Sequence, residues 1–197
     1  MSRVVRRALA VLALVVVLVL GWVGVRGYLA VQHLDEAAAE VADVQEQLVA
    51  LEVTGAGEGI AAIRDDTSAA RDLTSDPVWR FVARFPWGGQ NLAVVGAGAA
   101  VGDDLARDAL PSAVIAATAA AGLQDGLAAS DLDASAEQAT TLSDALVGLQ
   151  QARDRARADL DALDRRYLAG PVRDTLAELE ASLDLTEQIG AGLADVR

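Results

Sequence analysis

The hydrophobic pattern divides the chain into one long apolar run followed by a series of helical seams. Residues 8–25, ALAVLALVVVLVLGWVGV, carry no charge over eighteen positions. As a helix rising about 1.5 Å per residue, this run approaches the ~30 Å of a bilayer hydrocarbon core. After it, Leu34, Ala37, Val41, Val44, Leu48 and Leu51 recur at alternating spacings of three and four, with Glu, Gln and Asp between them. This predicts an amphipathic helix with a coiled-coil-like seam, continuous with the apolar helix. The stretch 54–59, Thr-Gly-Ala-Gly-Glu-Gly, predicts a break, and a second helix is expected over 60–73.

Asp76-Pro77 is a restart signal, because aspartate caps free N–H groups and proline fits the first helical turn. A short helix over 78–85 is expected to end at Pro86, with 87–91 as a turn. Helices over 92–109 and from Pro111 to 121 follow, and 122–133 reads as a loop. Asp133 or Ser135 is expected to cap a long helix with the seam Leu142, Leu146, Leu149, Ala156, Leu160, Leu163 and Tyr167. Gly170-Pro171 predicts a corner before a last helix carrying Leu176, Leu179 and Leu183. No alternating strand pattern appears. The expected fold is all-α: a single N-terminal transmembrane helix continuing into an extracytoplasmic antiparallel helical bundle. The division is 1–7 as a cytoplasmic tail, 8–27 as the anchor and 28–197 as the bundle.

Charge sets the orientation. Arg3, Arg6 and Arg7 precede the apolar run and only Arg26 follows it closely, which places the N-terminus inside. Trp22, Arg26 and Tyr28 mark the outer membrane interface, where amphipathic rings favour the headgroup layer. A cleaved signal peptide is the competing reading. Its apolar region is normally about 7–15 residues with a small-x-small site after it, and neither feature fits. Gly21, Gly24 and Gly27 lack the Gly-x-x-x-Gly spacing of a membrane dimer.

Composition removes whole classes of chemistry. Cysteine is absent and there is one histidine, so no disulfide framework, zinc site, haem site or other cofactor is expected. All sixteen basic residues are arginine, which with the heavy alanine use points to a high-GC bacterial genome. Four of them lie at or before position 26, so the remaining twelve face all 29 acids, a net of −17. Such a field repels nucleic acid and anionic lipid. The plain interpretation is a solvated helical surface.

Four of the seven aromatics fall within nine residues: Trp79, Phe81, Phe85 and Trp87. The favoured expectation is a hydrophobic plug where helices cross, since each ring buries about 150–250 Å². The alternative is an exposed aromatic platform for sugar or lipid. Asp76-Pro77-Val78-Trp79-Arg80, Phe85-Pro86-Trp87, Gly89 and Asn91-Leu92 together resemble the N-terminal region of the bacterial domain-of-unknown-function family 4012. Asp103-Asp104-Leu105-Ala106, Leu110-Pro111 and Gly170-Pro171-Val172 fit in the same order. The resemblance implies a membrane helix, this helical region and a larger extracytoplasmic domain rich in strand residues. That last domain has no counterpart before Arg197, so the chain is read as a truncated or stand-alone helical version. The family lends no activity.

Several motifs tempt and fail. Gly96-Ala-Gly98 looks like a dinucleotide-binding turn, but the third glycine should fall at Val101. A glycine-loosened helix at a close crossing is the better reading. Asp65-Asp66 and Asp103-Asp104 point about 100° apart on a helix and are expected to be solvated rather than paired for acid–base work. His33 is expected to be an interfacial polar residue, and Arg80 and Arg84 to be ion-paired. No catalytic or metal-ligating residue is assigned. The expected function is that of a membrane-anchored, non-enzymatic envelope scaffold or interaction module. Its partners would be the membrane and envelope proteins or polysaccharide. A sensory ectodomain with a separate output partner, or the stalk of an enzyme lacking its catalytic domain, are the alternatives.

Overall fold

A computed structural model describes residues 3–49, 53–85, 88–163, 168–170, 172–174 and 176–177. Among them there is no strand. Five bounded helices follow in order among the described residues: α1 (Arg3–Val49), α2 (Val53–Thr74), α3 (Pro77–Val82), α4 (Gly89–Ala129) and α5 (Leu132–Asp161); residues 172–174 and 176–177 are helical as well.

α1 is one uninterrupted helix, so the apolar run and the seam are a single rod of about 70 Å at 1.5 Å per residue. Its first half is bare: Leu12, Val15, Leu18 and Trp22 are all exposed. Burial starts at Val23 and continues through Ala30, Ala37 and Val44, a seven-residue repeat facing α2 and α4. α2 runs back antiparallel to α1, with Ile60 and Ile63 against Ala37 and Val44 at the far end and Ala70 against Ala30 at the near end. α4 then climbs along both, and α5 returns antiparallel to α4, with Ala156 and Leu160 against Val94 and Val101. The result is two helical hairpins joined along α2 and α4.

The glycine-rich stretch 54–59 is helical and forms the first turns of α2, so no break lies there. Gly59 sits where α2 crosses α1; a Cβ on it would lie 2.5 Å from Val44 Cγ2. The close crossing offsets the roughly 1 kcal/mol that a helical glycine costs relative to alanine. Gly57 has open space around it. Gly59→Ala should therefore be less stable than Gly57→Ala by about 1–3 kcal/mol, read from thermal melts of the full chain in mild detergent.

α4 also overrides an expected boundary, because Pro111 lies inside it. Proline has no N–H for the carbonyl four residues back, which here is Arg107. Arg64 of α2 meets that need: its Nη2 donates to the Arg107 carbonyl at 3.1 Å and its Nε to Ala106 at 3.0 Å. A neighbouring helix replaces the missing bond, so the helix continues. The predicted loop over 122–133 shrinks to Ser130-Asp131. Ser130 takes the left-handed conformation at φ 60°, and the Asp131 N–H returns to the Gly126 carbonyl at 2.9 Å. Asp131 caps α5 by accepting from the Ala134 N–H at 3.1 Å, in place of Asp133 or Ser135.

The buried stripe of α5 is Ser135, Ala145, Ala152, Ala156 and Leu160. Leu146 of the predicted seam is 45% exposed. Small residues displace leucine because the hairpin is tight: a Cβ on Gly122 would lie 3.0 Å from Gln138 Cδ, and one on Gly148 would lie 2.9 Å from Ser112 Oγ. Beyond Val114, where the α1/α2 hairpin stops contributing to the core, α4 and α5 continue as a two-helix arm. Tyr167, Pro171, Leu179 and Leu183 lie outside the described residues.

Candidate functional site

The residues singled out in the sequence converge where α1 leaves its apolar run. Arg26 is the pivot. Its Nε donates to the Leu73 carbonyl and its Nη2 to the Asp72 carbonyl, both at 2.8 Å. These are terminal carbonyls of α2, which have no partners within their own helix, and a cation there also suits the helix dipole. The same guanidinium lies 3.0 Å from Asp76 Oδ2 and 5.3 Å from the ring centroid of Trp22. One arginine thus ties the end of the apolar helix to the end of α2 and the start of α3.

Asp76 also caps α3. Its Oδ1 accepts from the Val78 N–H at 2.7 Å and the Trp79 N–H at 3.0 Å, with Pro77 in the first turn. Trp79 is the centre of the junction, 2% exposed. Its ring lies between two glycines: a Cβ on Gly27 would be 3.3 Å from Cη2, and one on Gly96 would be 3.3 Å from Nε1. The indole N–H donates to the Leu92 carbonyl at 3.1 Å, so the ring's polar edge is satisfied. Gly96 belongs to the abandoned dinucleotide motif. The whole 92–102 stretch is helical, and Gly96 there makes room for an indole.

Gly89 opens α4 where no side chain fits, since a Cβ would lie 2.5 Å from the Ala83 carbonyl oxygen. Asn91 Oδ1 accepts from the Ala169 N–H at 2.7 Å and ties the returning chain to the same junction. Tyr28 points outward, 72% exposed. Pro86 and Trp87 lie outside the described residues.

The four-ring plug is corrected by the other two phenylalanines. Phe81 and Phe85 are 61% and 54% exposed and meet each other edge-on at 5.4 Å. α3 has six residues and buries Trp79, so Phe81 on the same helix faces out, and Phe85 lies in the turn beyond its end. Arg80 and Arg84 are exposed as well, and among the described residues neither guanidinium makes an ion pair, contrary to the pairing expected of them.

The aspartate pairs are also not simply solvated. Asp103 is fully buried; its Oδ2 accepts from Arg71 Nη1 at 2.9 Å, and Arg107 Nη2 lies 3.0 Å from Oδ1. Arg71 bridges on to the exposed Asp104. The hydrogen bonds that the Arg71 guanidinium donates to Asp104 and then Asp103 hold it above its ordinary pKa despite some burial. The Arg107 contact was legible at i, i+4; the Arg71 contact, 32 residues away, was not. His33 Nδ1 lies 2.8 Å from Asp66 Oδ1 and 3.7 Å from Glu36 Oε2. Among the described residues this is the one trio whose ligand atoms lie close enough for a metal ion, all within 4.8 Å. An open groove of about 340 Å³ between α4 and α5 is rimmed by Asp104, Asp108 and Asp159 and crossed by the Arg155–Asp108 ion pair at 2.7 Å. Among the described residues that line it there is no serine, threonine, histidine, cysteine or lysine.

The chain therefore defines a class: an all-α protein with one helix near its N-terminus long and apolar enough to cross a membrane. Comparison with protein-family models, curated proteins and solved structures finds no match.

Proposed function

We propose that this protein is a non-enzymatic, single-pass membrane-anchored scaffold or interaction module of the bacterial cell envelope. Residues 1–7 lie in the cytoplasm and the helical hairpins outside it. One observation carries the reading: α1 passes without interruption from an apolar stretch exposed over residues 5–18 into a buried seam. A helix of a soluble core is not left bare over four turns, whereas a lipid-facing span is. Arg3, Arg6 and Arg7 support the orientation. Kinship with family 4012 belongs to the same proposal. It rests on the sequence resemblance at Asp76, Pro77, Trp79, Gly89 and Asn91.

In this arrangement the Arg26–Trp79 junction fixes the hairpins to the anchor, and the α4/α5 arm carries a helical surface away from the bilayer toward protein or polysaccharide. The full chain should stay in the pellet through alkaline carbonate extraction, and protease added to intact cells should digest it beyond α1. Release into the soluble fraction, or full protection in intact cells, would overturn the proposal.

A further inference from the structure

We infer that α3 and the turn after it form an interfacial segment that lays Phe81 and Phe85 into the outer leaflet and sets Arg80 and Arg84 against lipid phosphates. This rests on α1 spanning the bilayer as proposed above. Three independent observations converge on it.

The first is height. Trp79 packs on Gly27, and Asp76 pairs with Arg26, so α3 sits within about two turns of Trp22, the outer aromatic of the span. Val23 is buried inside the apolar run, 5% exposed, so the folded part of the chain reaches down to the level where hydrocarbon begins.

The second is surface chemistry. Val78 and Phe81 on α3 and Phe85 in the turn after it are exposed, while Trp79 is the buried side chain of the helix. Exposed large apolar groups beside a membrane span continue the lipid-facing surface of α1, while the same groups in water have no compensation.

The third is charge. The segment 77–102 contains Arg80 and Arg84 and no acid, the longest acid-free stretch after the apolar run in a chain with 29 acids. The acidic field is therefore absent where headgroup phosphates lie and returns at Asp103. A guanidinium meets phosphate through paired N–H donors, and both guanidiniums lack a protein carboxylate among the described residues.

Cysteine is absent, so single cysteines report without background. The full chain is reconstituted in vesicles of phosphatidylethanolamine and phosphatidylglycerol containing lipid brominated near the top of its acyl chains. An environment-sensitive fluorophore is attached after Phe81→Cys, Phe85→Cys, Leu14→Cys or Leu132→Cys. Leu132 is 77% exposed at the α4/α5 turn, about 60 Å of helix away from Gly89. Bromolipid quenching at 81 and 85 should exceed that at 132 by about threefold or more. Adding Arg80→Gln and Arg84→Gln to the Phe81→Cys chain should lower the quenching at 81 by about half. Strong quenching at 14 with quenching at 81 and 85 no greater than at 132 overturns the inference and leaves the anchor intact. A blue-shifted but unquenched label at 81 points to a second copy or a protein partner and overturns it equally. Loss of quenching at 14 would instead strike at the membrane-spanning reading itself.

Discussion

Replacing Trp79 by alanine should cost about 3–5 kcal/mol, the range for removing a large buried aromatic from a core. The loss is placed at the upper end of single-residue effects for three reasons. The ring is 2% exposed, and its neighbours Gly27 and Gly96 have no side chains that could move in to fill the space. The hydrogen bond to the Leu92 carbonyl goes with it. The rest of the described core is dominated by alanines such as Ala30, Ala70, Ala99 and Ala106, each of which buries little area. In a domain of this size such a loss lowers the melting temperature by on the order of 10 °C, measured by circular dichroism on the full chain in mild detergent. Phe81→Ala in the same detergent should change stability by less than about 0.5 kcal/mol, because that ring is already outside. Equal losses from the two substitutions would restore a plug of several rings and remove the basis for assigning Trp79 a separate role.

The contrast between these two rings shows where sequence pattern stops being informative. Periodicity finds α1 well, because a bare apolar run and a three-four seam are local signals that nothing else in the fold overrides. The Asp76-Pro77 cap is equally local and forms as read. Boundaries drawn from glycine and proline fare worse. Pro111 and the stretch 54–59 carry breaker chemistry, yet helices pass through both. Partners distant in sequence supply the reason: Arg64 donates to the carbonyl that Pro111 leaves open, and Val44 occupies the space that Gly59 leaves free. Aromatic spacing fails in the same way. Trp79, Phe81 and Phe85 lie close in sequence, but a six-residue helix docked by one ring leaves Phe81 outside, and Phe85 falls in the turn beyond it. Arg26 was legible as the charge that ends the apolar run. Its work as a cap on α2 depends on carbonyls 46 and 47 residues away, which no local pattern announces.

Arg71→Ala should destabilise the chain by about 3 kcal/mol, the lower end of the range for stripping one partner from a buried charge. Asp103 has no exposure at all, and after the substitution its carboxylate would keep only Arg107, with the like charge of Asp104 on the next residue. Asp103→Ala removes the buried charge itself. Arg71 and Arg107 are 38% and 56% exposed, so both can return to water, and Arg71 retains Asp104. That variant should lose only about 1 kcal/mol, and the double variant should resemble it. The telling result is therefore an inversion: the double variant is more stable than Arg71→Ala alone, in denaturant titrations of the full chain. Strict additivity would mean that Asp103 carries no desolvation cost to be offset. The pair also joins α2 to α4, the contact through which the two hairpins hold together. If Arg71→Ala melts the α4/α5 arm while the α1/α2 hairpin persists, the transition should split into two. A single cooperative loss would instead mean that the remaining α2/α4 contacts, the Arg64 hydrogen bonds and the small-residue crossings, suffice to couple the two hairpins.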